Sequence, residues 1–517
     1  MSDASQEGIN NQNCYAGFYA RFQTGGTFIQ NTASQPAHTY ADLHRRSGQY
    51  ANLLTKMGLK PGNRVMVQVE KSPECLFIYF ACLRAQLIYL PLNTAYGQEE
   101  LAYFIKNAEP ALVVCTPNAA PQFSQLLRHN DCQVATLDSQ GRGSLPDDLA
   151  AGDYATTFDT PATKADDIAV ILYTSGTTGQ PKGAMITHHN LLSNVEALHL
   201  AWGWQPGDVL LHALPIFHIH GLFVATHLAV FNASPIIFLP NFDPAEVIES
   251  LPAATVYMGV PTHYVRLLKH GGLDQTACRQ MRLFTSGSAP LLPQTFDAFE
   301  TATGHRIVER YGMTETGMNT SNPLLGPQKP GTVGPALPGV MTRIVDPQGE
   351  PVPQDTAGEL QIRGPNVFKG YWRMPHKTQA EFTSDGYFKT GDLAQLDADG
   401  YIAIVGRSKD MIISGGLNVY PKEIETILDK LPGVLESAVI GLVDDDFGEA
   451  VTAVIVATDD SELDEAAVIH YMKQHLANFK IAKTVHFVPA LPRNTMGKVQ
   501  KKALRDQFGL KTGASPG

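Results

Sequence analysis

The run Tyr173–Gly183, YTSGTTGQPKG, brings together small hydroxylated residues, three glycines and one lysine. Such a segment can wrap a polyphosphate, with backbone N–H groups as donors and the lysine as a point charge. The preceding DDIAVILYT is apolar and β-branched and reads as a buried strand. A glycine-rich loop after a strand is where α/β sheets bind phosphates. The P-loop pattern G-x-x-x-x-G-K-[ST] fails, because Pro181 stands where the second glycine belongs and Gly183 follows Lys182 in place of Ser or Thr. A strand-linked phosphate loop of another kind is the expectation; on composition alone the alternative is a flexible surface loop. A second chemical feature is the tail from Lys480 to Lys511, rich in Lys and Arg and poor in acids. It suits a polyanionic small molecule, and its plainer reading is a solvated face.

The elements that must position these residues follow from pattern. A chain of 517 residues exceeds one core, so several domains are expected. Between about 60 and 120, RVMVQVE, SPECLFIYFACLRA, LIYLPLN, GQEELAYFIKNAE and ALVVC alternate strand and helix, which predicts a mostly parallel sheet. A second such series, from PIIFLP to HRIVERYGM, spans about 235–312. The fold class is therefore α/β: two stacked α/β subdomains, then a β unit over about 330–406 from TRIVD, ELQIR and YIAIVG, then a small α+β piece. The domain boundaries are placed at 1–407 and 408–517, with a polar hinge near Arg407–Asp410. A net charge of −11 argues against a nucleic-acid partner. No apolar run is long enough to span a membrane. The polar N-terminus resembles neither a secretory nor a transit segment, so a cytoplasmic location is expected. The six scattered cysteines, with no C-x-x-C pair, fit a reducing compartment and no zinc site.

Further motifs lie downstream: RYGMTET at Arg310–Thr316, TGDLA at Thr390–Ala394, GRSKDMIISGGLNVYPKEIE at Gly406–Glu425 and PRNTMGKVQKKAL at Pro492–Leu504. In this order and spacing they resemble the adenylate-forming superfamily of acyl-CoA synthetases, adenylation domains and luciferases, over about residues 30–505. The resemblance implies a large N-terminal domain, a small mobile C-terminal domain and two steps. A carboxylate attacks the α-phosphorus of ATP to give an acyl-AMP and pyrophosphate, and a thiol then attacks the acyl carbon. It implies that Thr174, Ser175, Gly176, Thr177, Thr178, Gly179 and Lys182 hold the β- and γ-phosphates, and that Glu315 ligates Mg²⁺. Ser286, Gly287 and Ser288, with Arg310, Tyr311, Gly312, Met313 and Thr314, would line the adenine, Tyr311 stacking on the base. Asp392 and Arg407 match the ribose-binding pair, and Lys409 the hinge position. His218 matches the aromatic gate at the acyl carboxylate. Lys498 matches the lysine that neutralises the carboxylate and α-phosphate oxygens. Gly415 and Gly416 would line the pantetheine channel of coenzyme A. Lys498 also implies a regulatory partner, a lysine acetyltransferase or deacetylase, since acetylation removes its charge.

Longer segments, among them VQVEKSPECLFIYFACLRAQLIYLPLNTAY, HALPIFHIHGLFVATHLAVF and GPNVFKGYWRMP, look like the malonate-activating (malonyl-CoA synthetase) branch of the family. Malonate, ATP and coenzyme A are the implied substrates, with methylmalonate as a further acid and another short-chain or aryl acid as the alternative. A second carboxylate buried in the acyl pocket needs a cation, preferably a bidentate Arg. Arg266 in PTHYVRLL is the expected clamp, with Arg282 in MRLFTSG less discriminating and Ser286 or Ser288 adding a hydroxyl. On a helical wheel Arg266 shares a face with Lys269 and His270, opposite Val265 and Leu268, which is the look of a solvated face. Ile219, between His218 and His220, stands where Thr is expected in close malonate-specific relatives, and bears on tolerance of a 2-methyl branch.

Overall fold

The computed structural model describes residues 11–509, apart from 23–24, 33–35, 129, 175–180, 415–416, 445–447, 477 and 495–496. Packing divides the chain into two units. The first comprises Met1–Gly331, Pro335–Met341 and Ile362–Phe388; the second comprises Thr332–Gly334, Thr342–Gln361 and Lys389–Gly517. The β unit predicted from 330 to 406 thus packs largely with the chain that follows it in this division.

The first unit holds two sheets. One runs in the order Gly370–Tyr371, Lys182–Thr187, Ile168–Thr174, Ile88–Pro91, Arg64–Gln68, Leu112–Cys115, Gln133–Thr136. From Ile168–Thr174 onward its neighbours pair in parallel. Lys182–Thr187 runs antiparallel to both of its neighbours. The other runs Gly317–Ser321, Ile307–Met313, Leu283–Ser286, Val256–Gly259, Leu210–His212, Ile236–Phe238, Thr27–Ile29, His38–Thr39, parallel except at its two edges. Strands such as IYLP and LVVC are buried throughout, as expected for parallel strands covered on both faces.

The helix Pro73–Arg84 joins the two sheets. Ser72 caps it by accepting from the Cys75 amide at 3.3 Å, and Pro73 fills the first turn, where no N–H is needed. Every residue from Glu74 to Arg84 is buried. Cys75 Sγ lies 3.4 Å from the Tyr89 hydroxyl on one sheet, and the Phe77 ring lies 6.5 Å from that of Phe28 on the other. The apolar, unpatterned sequence of this helix follows from having no solvent face.

The second unit has a four-stranded sheet, Met341–Val345, Gly358–Arg363, Phe388–Leu396 and Ile402–Arg407, and a five-stranded sheet beyond it. The latter is built on the long antiparallel pair Val434–Asp444 and Gly448–Ala457 and covered by the helices Pro421–Leu428, Glu465–His475 and Lys501–Phe508. The α/β class, the two α/β series, the β unit and the α+β tail all correspond to the sequence reading. No helix among the described residues is long and apolar enough to cross a membrane. All six cysteines are free thiols.

Burial leaves several histidines neutral. It lowers His188 to about 4 and His227 and His263 to about 3, against 6.5 for an exposed imidazole. The unfolded chain therefore binds protons between pH 6.5 and 4 that the folded chain does not, so stability falls as pH falls through that window. Each group contributes a slope of up to about 1.4 kcal/mol per pH unit. Urea midpoints measured from pH 7.5 to 4.5 should be level at first and then drop steeply below about 6.5; a level profile throughout would contradict this account.

Candidate active site

Two antiparallel returns at the ends of parallel strands assemble the first cluster. Strands Ile168–Thr174 and Lys182–Thr187 pair antiparallel, with Thr174 opposite Lys182. Strand Ile307–Met313 turns back into Gly317–Ser321, and the intervening turn carries Thr314 and the buried Glu315. The Thr174 hydroxyl donates to Glu315 Oε1 at 3.4 Å. Tyr371 donates to the same oxygen at 3.0 Å, and Lys182 Nζ donates to the Tyr371 hydroxyl at 3.1 Å. The Glu315 turn is fastened by its own carbonyl, which accepts from the Phe368 amide at 2.8 Å, and by Asn366 Nδ2, which donates to Thr316 O at 2.6 Å. Ser175, Gly176, Thr177, Thr178 and Gly179 lie outside the described residues.

The second cluster sits at the C-terminal edge of the eight-stranded sheet. Register sets Gly259 beside Ser286 and Ser286 beside Glu309, which puts Gly287 next to Arg310. A Cβ on Gly287 would stand 2.5 Å from the Arg310 guanidinium carbon, so only glycine lets that side chain lie under the Ser286–Ser288 segment. Arg310 is 3% exposed, and its Nε and Nη2 have no hydrogen-bond partner among the described residues. Ser286 Oγ, Thr285 Oγ1 and His220 Nε2 are likewise buried without partners. Burial pulls the Arg310 guanidinium down to about 9. Burial, and then the Arg310 charge, lower His218 to about 4; His218 Nδ1 accepts from the His220 amide at 3.3 Å, which leaves its other ring nitrogen as the donor. His220 and His263 are pushed down by burial and by cationic neighbours, Arg310 for the first and Arg266 and Lys71 for the second. Ser288, at φ +71°, places its hydroxyl 3.4 Å from His220 Nδ1. Tyr311, Gly312, Met313 and Thr314 are half-buried along the same strand and turn.

Neither arginine expected to clamp a second carboxylate lies free in this pocket. Arg282 precedes the strand Leu283–Ser286, at the opposite sheet edge from Ser286, roughly 13 Å away at strand rise. Its Nε and Nη2 meet the two Asp208 oxygens at 3.0 and 2.5 Å, and its Nη1 meets Trp202 O at 3.1 Å. That guanidinium is saturated by a buried structural pair. Arg266 is exposed with Lys269 and His270, while His263, Tyr264 and Leu267 take the buried face of helix Pro261–His270. The solvated-face reading of this helix is the one observed, because a flexible cation without a buried partner stays in water. Ile219 is buried and lines a small cavity with Phe223, Thr314 and Phe368.

In the second unit, antiparallel pairing sets Asp392 opposite Arg407, and Arg407 Nε meets Asp392 Oδ1 at 2.7 Å. Lys409 follows on the exposed turn Ser408–Asp410. The Lys498 amide donates to Asn494 Oδ1 at 2.9 Å. The Lys498 side chain is exposed; desolvation, then the Arg407 charge, lower its ammonium, and Asp392 opposes them. The structure thus places Asp392, Arg407, Lys409 and Lys498 in one electrostatic neighbourhood. Gly415 and Gly416 lie outside the described residues.

The sequence matches the AMP-binding enzyme family over residues 23–372 and the AMP-binding enzyme C-terminal domain over 423–498. The chain belongs to the AMP-binding enzyme family. ATP-bound MatB from Rhodopseudomonas palustris superposes with a TM-score of 0.94 at 50% identity, covering 97% of this chain and 99% of MatB. The malonate–CoA ligase of Arabidopsis thaliana is 34% identical, over 89% of this chain and 80% of its own. A feruloyl-CoA synthase of Amycolatopsis is 35% identical, over 95% and 97%.

For an AMP-binding enzyme the first cluster fits a hard divalent cation held mostly by nucleotide. Among the described residues there is no group of three or more His, Cys, Asp or Glu that could hold a metal ion. One buried carboxylate flanked by a hydroxyl suits Mg²⁺, which keeps its waters and takes phosphate oxygens. One side chain of the first cluster escaped the sequence reading of this AMP-binding enzyme. Tyr371 lies in the quoted GPNVFKGYWRMP, yet 56 residues from Glu315 and 189 from Lys182, so no local spacing reveals it. Arg310 is assigned to the adenine by the sequence; the structure adds that its guanidinium is buried with two nitrogens lacking a partner, which local spacing does not reveal.

Replacing Arg282 by Met leaves the Asp208 carboxylate buried and unpaired, at a cost of about 3 kcal/mol. Calorimetry should register a lower unfolding midpoint for this variant while kcat/KM for the acid, measured below that midpoint, stays at the parent value. A fall in kcat/KM with an unchanged midpoint would return Arg282 to the pocket.

Proposed function

We propose that this protein joins malonate to coenzyme A at the expense of ATP: malonate, ATP and CoA give malonyl-CoA, AMP and pyrophosphate through a malonyl-AMP intermediate. The observation that carries the reading is Arg310, a buried guanidinium with two unpaired nitrogens beside the equally unpaired Ser286 hydroxyl and His220 Nε2. The charged neighbours weighing most on the surrounding imidazoles are cations, Arg310 itself, Lys71 and Arg266. Buried donors of this kind demand an anion, and the second carboxylate of malonate supplies one. In this reading Arg310 is the clamp in place of Arg282, and Arg266 adds positive charge at His263. The similarity to a malonate–CoA ligase and to MatB agrees with this substrate.

In the first step a carboxylate oxygen of malonate bonds to the α-phosphorus of ATP as the bond to pyrophosphate breaks. Little covalent help is needed, so positioning and charge neutralisation do the work. Neutral His218 donates from its ring N–H to the reacting carboxylate, and Lys182 and Thr174 receive phosphate oxygens with the loop between them. Bound at Glu315, Mg²⁺ supplies charge neutralisation to the polyphosphate. Asp392 and Arg407 take the ribose hydroxyls, Tyr311 stacks on adenine, and Lys498 neutralises the developing charge. In the second step the CoA thiol bonds to the acyl carbon and AMP leaves; Lys409 is the hinge between the two states in this reading. Acetylation of the exposed Lys498 would remove its charge, which makes a lysine acetyltransferase and deacetylase the regulatory partners. Acetylated protein that forms acyl-AMP at full rate would refute that role.

The feruloyl-CoA synthase relative supplies the competing reading, an aryl or aliphatic monocarboxylate. The experiment is AMP and pyrophosphate release with malonate, methylmalonate, succinate, acetate and ferulate. Malonate should exceed every monocarboxylate in kcat/KM. In Arg310→Met that preference should fall by about 10²–10³-fold, the worth of a buried bidentate ion pair, with butyrate gaining. Ferulate or acetate as the best substrate of the parent protein would overturn the assignment.

A further inference from the structure

We propose that Tyr371 is a positioning residue for the adenylation step, its hydroxyl bridging Lys182 and Glu315 so that the phosphate-binding ammonium and the metal-binding carboxylate are set before nucleotide arrives. This rests on the reading of Glu315 as the Mg²⁺ ligand.

The phenol accepts from Lys182 Nζ at 3.1 Å and donates to Glu315 Oε1 at 3.0 Å. Its proton has one place to go. An ammonium has no acceptor lone pair and an ionised carboxylate has no donor, so the O–H points to Glu315 and its lone pair to Lys182. Glu315 Oε1 thereby holds two donors, Tyr371 and Thr174, and the carboxylate plane cannot swing freely.

The ring itself is anchored from every side. Tyr371 is buried to 3% and packs edge-on against Phe368 at 4.8 Å. Gly370 and Tyr371 form strand pairs with Met185 and Ala184, three and two residues beyond Lys182. The Tyr371 amide donates to Thr378 Oγ1 at 2.8 Å. The same short segment supplies the Phe368 amide that holds the Glu315 carbonyl at 2.8 Å. One stretch of chain, 366–371, therefore fixes the Glu315 turn through its backbone and the Glu315 carboxylate through its side chain. Preorganisation of this sort matters most where charge develops, because groups already aimed cost no reorganisation at the reacting moment.

The test separates the two half-reactions. In Tyr371→Phe the ring and its packing remain and only the hydroxyl is lost. Pyrophosphate release from ATP and malonate, titrated with Mg²⁺, should show half-saturation raised about 5–10-fold and a maximal rate lowered about 10–100-fold. Thioester formation from chemically prepared malonyl-AMP and CoA should stay within about twofold, since that step needs neither group. Equal loss in both half-reactions would mean a general structural defect and would overturn the proposal, as would an unchanged Mg²⁺ titration. Glu315→Gln serves as the reference. If it leaves the Mg²⁺ dependence unaltered, the metal-ligand reading fails and takes this inference with it; if it shifts that dependence while Tyr371→Phe does not, the inference alone fails. The double variant should be no worse than Glu315→Gln, because the hydroxyl acts through that carboxylate; additive losses would count against it.

Discussion

The parallel register of Val256–Gly259, Leu283–Ser286 and Ile307–Met313 is the constraint on which the pocket depends. In-register pairing brings the C-terminal ends of these strands to one edge. The chain leaves that edge in short, backbone-dense turns, where polar groups can converge without disturbing the sheet. A single-residue slip along Ile307–Met313 would reverse the face on which Arg310 emerges and remove it from beneath Gly287. The second antiparallel return, at Thr174 and Lys182, belongs to the other sheet. The two sheets meet through the fully buried helix Pro73–Arg84, whose contacts reach a strand of each. Rigid elements on both sides hold the reacting groups more tightly than loops would.

Desolvation shapes the chemistry of these groups as much as geometry does. Burial holds His218 neutral, so it can donate a hydrogen bond without adding another positive charge beside Arg310. The same burial lowers Arg310 only to about 9, so the guanidinium stays charged at neutral pH. One low-dielectric environment pulls both groups toward the neutral form, and only His218 is left uncharged at neutral pH, because the guanidinium starts so far above it. In the first cluster the roles are reversed. There a neutral phenol stands next to both an ammonium and a carboxylate, linking opposite charges through a dipole.

Most of the architecture was legible in the sequence. RVMVQ, IYLP and LVVC alternate with amphipathic or capped helices, and short-range periodicity suffices for such βαβ units. Thr174 and Lys182 came from a segment whose chemistry is local, a strand followed by a glycine-rich loop; Glu315, Asp392 and Arg407 came from the resemblance of their motifs to the family. What pattern could not give were long-range partners. Tyr371 reaches Lys182 only through an edge-strand pairing across 189 residues. Arg282 and Asp208 pair across 74 residues, so an arginine beside a motif looked available when it was already saturated. For Arg266 the helical wheel pointed to solvent, and the structure leaves the residue exposed while its charge still reaches buried His263.

In the proposed role Arg310 would let such a pocket reject as well as accept. An acid with one carboxylate would spend that group at the reacting centre and leave the guanidinium, the Ser286 hydroxyl and His220 Nε2 without a partner. The penalty falls on the complex with the wrong acid, since water can solvate these donors only while the pocket is open. A site built around hydrogen-bond donors discriminates against the analogue lacking the acceptor far more strongly than an apolar pocket discriminates by size.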